Sequence, residues 1–191
     1  MARDRKFSTE DLYHATKQIL LEQGYDGFHF GLLAEKLDIS RGAIYKYFDN
    51  REELIVNFMR HEMKLFLTEL KNVEQFPSFD EKLTFLLELI FKNPAVPRLI
   101  EIGQRIPIHE NLKMKEDVFK LEDLRLKMYQ HLQEFIDLGR EEQKLNPSVP
   151  DTLILGFIFQ SIMIPNHFDI PQSKWVQSIK EILCHGILNH Q

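Results

Sequence analysis

The stretch that most constrains this chain runs from Gly24 to Leu54, GYDGFHFGLLAEKLDISRGAIYKYFDNREEL. Phe30, Leu33, Ala34 and Leu37 recur at i, i+3, i+4 and i+7, which puts them on one face of a short helix. Asp38-Ile39-Ser40 then reads as a tight turn. Asp tolerates left-handed backbone better than most residues with a β-carbon, and Ser40 is suited to accept orphan N–H groups of the next helix. That helix is expected over Arg41 to Phe48, with Ile44 and Phe48 turned inward. Arg41, Ala43, Tyr45, Lys46 and Tyr47 are left outside or on the rim. Asn50 with Glu53 has the spacing of a further cap. A short helix showing Arg, Lys and Tyr, propped on another across a tight turn, is the helix-turn-helix plan, whose second helix enters the DNA major groove.

The same residues resemble a known family, the TetR-type regulators. The matching positions are Gly24-Tyr25, Leu33-Ala34, Ile39-Ser40-Arg41-Gly42, Ile44-Tyr45, Tyr47-Phe48 and Asn50-Arg51-Glu52-Glu53-Leu54. The motif resemblance covers about the first third of the chain. It implies an all-α fold with a DNA-binding head over residues 1–52 and a ligand-binding, dimerising body over 53–191. In that register Arg41 is the candidate base contact, because a guanidinium forks onto guanine O6 and N7. Ala43 is small enough to pack on a thymine methyl, and Gly42 lets the backbone approach closely. Tyr45, Lys46 and Tyr47 fall where the family contacts phosphate and sugar, which sets register rather than sequence. Arg51 matches a family lysine that grips a phosphate. Two positions depart from the family pattern. His29 stands where a Ser or Thr usually caps the first short helix, and Gly31 where a base-contacting Arg is common.

Charge does not announce a DNA binder. The chain carries −5 overall. Residues 1–60 hold nine Lys and Arg against ten Asp and Glu, or −1. Positive potential must then be local, from the Arg3-Arg5-Lys6 arm, Arg41, Lys46 and Arg51, and the salt dependence of binding should be modest. The single Cys184 excludes an internal disulfide and fits a reducing cytosol. No secretory signal is read after Met1. The longest nearly unbroken apolar run, Leu153 to Ile164, is far short of the ~20 residues of a membrane span. A cytoplasmic protein is expected.

The rest reads as helix after helix, nine in all. Ser8-Thr9-Glu10-Asp11 opens the first, and Gly24 suits its end. A long helix follows Asn50. Ser78 and Glu81 have capping-box spacing before Leu83, Leu86, Leu87, Ile90 and Phe91. A short helix lies around Leu99 to Ile106, and one long helix runs from about Glu110 to near Gly139. Asp151 and Ser173 are placed to cap the last two. The apolar run between them suggests a helix covered on more than one side.

Phe85, Phe91, Met114, Phe119, Met128 and Phe157 are the candidates to line an apolar effector pocket, since such pockets lie between bundle helices. The resemblance implies a small effector there that releases DNA, and the apolar body predicts a hydrophobic one. It also implies a homodimer through the last two helices. Leu153, Phe157, Gln160, Ile164, Val176, Ile179 and Leu183 are the candidate interface, and two heads about 34–36 Å apart would read successive major grooves of a palindromic operator. No Gly-rich phosphate loop, GxSxG or HExxH occurs, so no catalytic residues, cofactor or metal ligands are assigned. His109 with Glu110 is a weak metal candidate. The reading is a ligand-responsive repressor. An all-α protein-binding adaptor and a helical-bundle enzyme stand as alternatives at this point.

Overall fold

The computed structural model describes residues 7–107 and 112–187, with only the backbone at 112–114 and 186–187. The Arg3-Arg5-Lys6 arm, His109 with Glu110, and the Met114 side chain lie outside the described residues. The regular elements are all helical. They are α1 (Thr9–Gly27), α2 (Phe30–Lys36), α3 (Arg41–Tyr45), α4 (Arg51–Leu70), α5 (Phe79–Phe91), α6 (Val96–Gln104), α7 (Leu112–His131), α8 (Gln133–Glu141), α9 (Asp151–Gln160) and α10 (Gln172–Ile187). Short 3-10 turns follow α4 and α9. The chain divides into two compact units, Met1–Lys64 with Arg98–Leu124 and Leu65–Pro97 with Arg125–Gln191. The unit that holds the head therefore does not stop at residue 52.

In the first unit, α1 begins with a reciprocal Ser8–Asp11 capping box. The bond from Ser8 holds the Asp11 carboxyl below the usual carboxylate range. Gly24 ends the regular part of α1 at φ +68°, where a β-carbon would be strained, and Tyr25 to Gly27 turn away from it. The core gathers Leu12, Ile19 and Leu20 of α1 with Phe28, Phe30, Leu33, Ile44, Leu54, Phe58, Leu99 and Ile102. Helix α4 is capped by Asn50 Oδ1, which accepts from Glu53 N–H at 2.8 Å, while the Glu53 carboxylate accepts from Asp49 N–H at 2.7 Å. Asp117 of α7 is buried and accepts from Arg60 Nη1 and Asn57 Nδ2 of α4, at 2.7 and 3.1 Å.

In the second unit, the Ser78–Glu81 capping box starts α5 as its spacing requires. Phe79 stacks on Phe135 at 4.8 Å, and Gly139 makes that approach possible: a β-carbon there would meet Phe79 and Leu145 at 2.7 Å. Three expectations need correcting. The helix expected from Glu110 to Gly139 breaks at Leu132, which leaves helical dihedrals (φ −99°, ψ 5°) with its side chain fully buried. No proline or glycine marks that break. Asp151 is not a cap: Pro150 holds that position, and the Asp151 carboxylate accepts from Arg140 at 2.7 Å. Ser173 lies inside α10, which starts at Gln172. Helix α9 buries Ile154, Leu155 and Ile158 but leaves Leu153 and Phe157 exposed, so this chain covers it on one side only.

Candidate nucleic-acid interface

The reader is built from the turn outward. Leu33 and Ala34 bury α2 against the head core. The chain then reverses, with Asp38 at φ +50° and Ile39 N–H donating back to Ala34 O at 2.9 Å. Ser40 takes the extended cap conformation, but its hydroxyl makes no cap bond. Helix α3 is only Arg41–Tyr45, shorter than the expected Arg41 to Phe48. Tyr47 and Phe48 N–H both converge on Ile44 O, at 2.9 and 3.2 Å, so the chain leaves α3 in a tight turn. Ile44 is fully buried and anchors the segment.

Arg41, Gly42, Tyr45, Lys46 and Tyr47 are exposed on the far side, with Ala43 half-buried. Tyr45 meets Phe30 edge-on at 5.0 Å and Tyr47 meets Phe7 at 6.1 Å, yet they remain 56% and 44% exposed. Each ring is thus braced on one edge and open on the other. A β-carbon at Gly42 would meet only Ser40 Oγ, at 3.9 Å. Nothing inside the protein demands glycine there. His29 does cap α2: its Nδ1 accepts from Leu32 N–H at 3.3 Å. Gly31 leaves room beside it. A β-carbon at 31 would come within 2.8 Å of His29 Nδ1 and 3.1 Å of Arg41 Nη2.

Arg51 is placed differently from the expectation of a phosphate grip. Its Nε donates to Glu52 Oε1 at 2.8 Å, and its Nη1 to the carbonyls of Phe28 and Tyr25 at 2.9 and 3.3 Å. The guanidinium lies 4.6 Å from the centre of the Tyr25 ring, whose hydroxyl donates to the same Glu52 oxygen at 3.0 Å. The Glu52 bond pushes the Arg51 pKa up. Burial, and then that carboxylate, push the Tyr25 phenol up. Burial works against ionisation of Glu52, but the bonds from Arg51, its own backbone and Tyr25 prevail and hold it below its ordinary value.

Several acids of this unit are engaged within the protein. Asp11 and Glu53 bond backbone at helix starts, Glu52 holds Arg51, Glu62 pairs with Lys17 and Asp26 with Arg105.

Residues 12–57 match the family model described as bacterial regulatory proteins, tetR family. Over those residues the chain is similar to the DNA-binding domain of the TetR family. It is a DNA-binding transcription regulator. It is 22% identical to the fatty acid metabolism regulator protein of Bacillus subtilis (strain 168), over 92% of this chain and 93% of that one. In fold it is similar to FadR of Bacillus subtilis, solved in complex with stearoyl-CoA (TM-score 0.72, 17% identity, 94% of this chain and 100% of that one). It is similar also to the fatty acid degradation regulator FadR of Bacillus halodurans (TM-score 0.73, 19% identity, 100% of both chains).

The expected effector residues differ in their surroundings. Phe119 and Phe157 are exposed at 74% and 58%. Phe85 stacks on Phe76 at 4.9 Å, Met128 is buried and Phe91 half-buried. Helical period marks apolar faces but not whether a face turns to core, cavity or solvent. A groove of about 590 Å³ does lie between α5 and α10, lined by Thr84, Leu87, Glu88, Val176 and Lys180 among others. Sequence reasoning missed it, since its lining mixes charge with apolar groups. Of the expected interface residues, Leu153, Phe157, Gln160 and Ile164 face outward and Val176 is half-buried. Ile179 and Leu183 are buried within their own chain and are not available to a second one. Ile182, 68% exposed, is a large apolar residue of α10 that faces outward. Burial pushes the Cys184 thiol up, which makes it a poor nucleophile.

Proposed function

We propose that this regulator is a cytoplasmic homodimeric repressor, bound to a twofold-symmetric operator and released by a long-chain acyl effector. The observation that carries the reading is the α2–turn–α3 unit: buried Ile44 holds a short segment whose exposed side carries Arg41 and Lys46. Arg41 reads a guanine edge by bidentate bonding. Ala43 meets a thymine methyl, and Gly42 brings bare backbone close. Tyr45, Lys46 and Tyr47, with His29 at the start of α2, lie along phosphate and sugar and fix the register.

The outward apolar face of α9 supports a dimer. Leu153 and Phe157, one turn apart on α9, and Ile164 beyond its end are 49%, 58% and 47% exposed, and large apolar groups left open in this way mark an association site. A β-carbon at Gly156 would meet nothing within 4 Å, so a second helix can approach closely there. Similarity to fatty acid regulators over nearly the whole chain supports an acyl effector. Release then requires the effector to bind the DNA-incompetent arrangement better than the other. No helix among the described residues is long and apolar enough to cross a membrane.

Selection of bound sequences from a random duplex pool tests the reading, with stearoyl-CoA as the effector probe. A twofold-symmetric site is expected, and stearoyl-CoA should raise the melting temperature and weaken DNA binding. Asymmetric sites would remove the dimer, and stabilisation by polar ligands alone would remove the acyl effector. Arg41→Ala should relax one position per half-site by about 1–3 kcal/mol. Lys46→Ala should weaken all sequences alike and lower the salt slope by about one. A changed base preference in Lys46→Ala would overturn this division of roles.

A further inference from the structure

We propose that Arg51 is a positioning residue for DNA reading, one that sets the angle of α3 rather than gripping a phosphate. The proposal rests on the DNA-reading role of the head. Helix α3 has five residues and one fully buried side chain, Ile44. A helix of that length has no stability of its own in water, so its orientation is imposed by the elements on either side. Those elements are α2 before it and α4 after it, and Arg51 is the first residue of α4. Its Nη1 reaches the carbonyls of Tyr25 and Phe28, in the link that ends α1 and delivers the chain into α2. One side chain therefore ties the entrance of the reading unit to its exit.

The tie is also braced. Glu52 accepts from both Arg51 Nε and the Tyr25 hydroxyl, and the Tyr25 ring lies over the guanidinium, so the three residues close a ring. The Arg51 side chain is 32% exposed and that of Glu52 14%. Carbonyl, carboxylate and ring contacts together need a planar fork. Lysine supplies the charge but neither the fork nor the stacking surface.

The experiment compares wild type with Arg51→Lys, Tyr25→Phe and Lys46→Ala. Affinities for the selected site and for random duplex are measured across a salt series, at a temperature where circular dichroism shows every variant folded. A positioning role predicts that Arg51→Lys loses about tenfold on the selected site, comparable to one mismatched base pair. Its affinity for random duplex and its salt slope should stay at wild-type values, because phosphate contacts carry both. Tyr25→Phe keeps the ring, loses the bond to Glu52, and should shift the same ratio in the same direction by less. A purely structural role would lower the melting temperature and leave the ratio of selected-site to random affinity unchanged. A phosphate contact would leave Arg51→Lys close to wild type. Either result overturns the proposal. If wild type itself shows no salt-dependent preference for a selected site, the DNA-reading role fails. If wild type and Lys46→Ala behave as expected and only the Arg51 variant does not, this proposal alone fails.

Discussion

Asp117 is the residue whose loss the head should feel most sharply for its size. It is 8% exposed and accepts from Arg60 Nη1 at 2.7 Å and Asn57 Nδ2 at 3.1 Å. Arg60 Nη2 in turn donates to Asn57 Oδ1 at 2.9 Å, and Asn57 Nδ2 to Glu53 O at 2.9 Å, so the α7–α4 contact is a closed network. Asp117→Ala leaves the Arg60 guanidinium without its counter-charge. Breaking a fully buried pair costs about 3–5 kcal/mol. Here the two side chains keep 23% and 12% of their exposure, so water compensates in part. A charge-assisted hydrogen bond of about 1.5–3 kcal/mol is the better guide, which gives about 2 kcal/mol. For a chain of this length that is a fall of about 4–8 °C in melting temperature. The assay is thermal unfolding at one fixed protein concentration, because association shifts the midpoint by mass action. A double-mutant cycle with Arg60→Ala should return a coupling of about 1–2 kcal/mol. An Asp117→Ala protein within about 0.5 kcal/mol of wild type, the ordinary range for an inconsequential surface change, would refute the reasoning.

Gly139→Ala should destabilise by about 1–3 kcal/mol, the usual cost of overpacking, since Phe79 is fixed between its neighbours and cannot yield the 2.7 Å approach cheaply; urea unfolding checks it. Phe157→Glu should convert the proposed dimer to monomer in sedimentation and abolish tight operator binding, with secondary structure unchanged; a dimeric variant would move the interface elsewhere. Glu52 has a depressed pKa in the folded state against an ordinary value of 4.5. On acidification the unfolded chain takes up the proton first, so the contribution of Glu52 is full above about pH 4.5 and declines as pH falls below it towards the folded value. Glu52→Gln should therefore show a flatter loss of stability over that acid range, measured by chemical denaturation at a series of pH values.

Legibility differed by element for identifiable reasons. The α2–turn–α3 unit could be read because its determinants are local: one apolar face, an Asp at the left-handed position of the turn, and Ile44 as the single inward residue of α3. The Ser78–Glu81 capping box was legible on the same ground, three residues apart and self-contained; at Ser8 only the cap was legible and not its reciprocal bond from Asp11. The break at Leu132 was hidden, since no residue there breaks a helix and nothing local marks its full burial. The length of α3 was overestimated because apolar period continues to Phe48 while the backbone turns at Ile44.

The site shows the same division. Residue types and spacing assign Arg41 and Lys46 to an exposed reader, because side-chain direction on a short helix follows from register alone. They could not separate Arg41 from Arg51. Both are cations near the reader, but the tertiary structure aims one at solvent and closes the other onto Tyr25 and Glu52. Nor could they separate Phe157 from Ile158, neighbours in one apolar run, of which one is exposed and the other buried. Local chemistry decides which element forms and which residue types it carries. Where an apolar or charged side chain ends up is decided by what the rest of the chain packs against it, and that is a property of three dimensions.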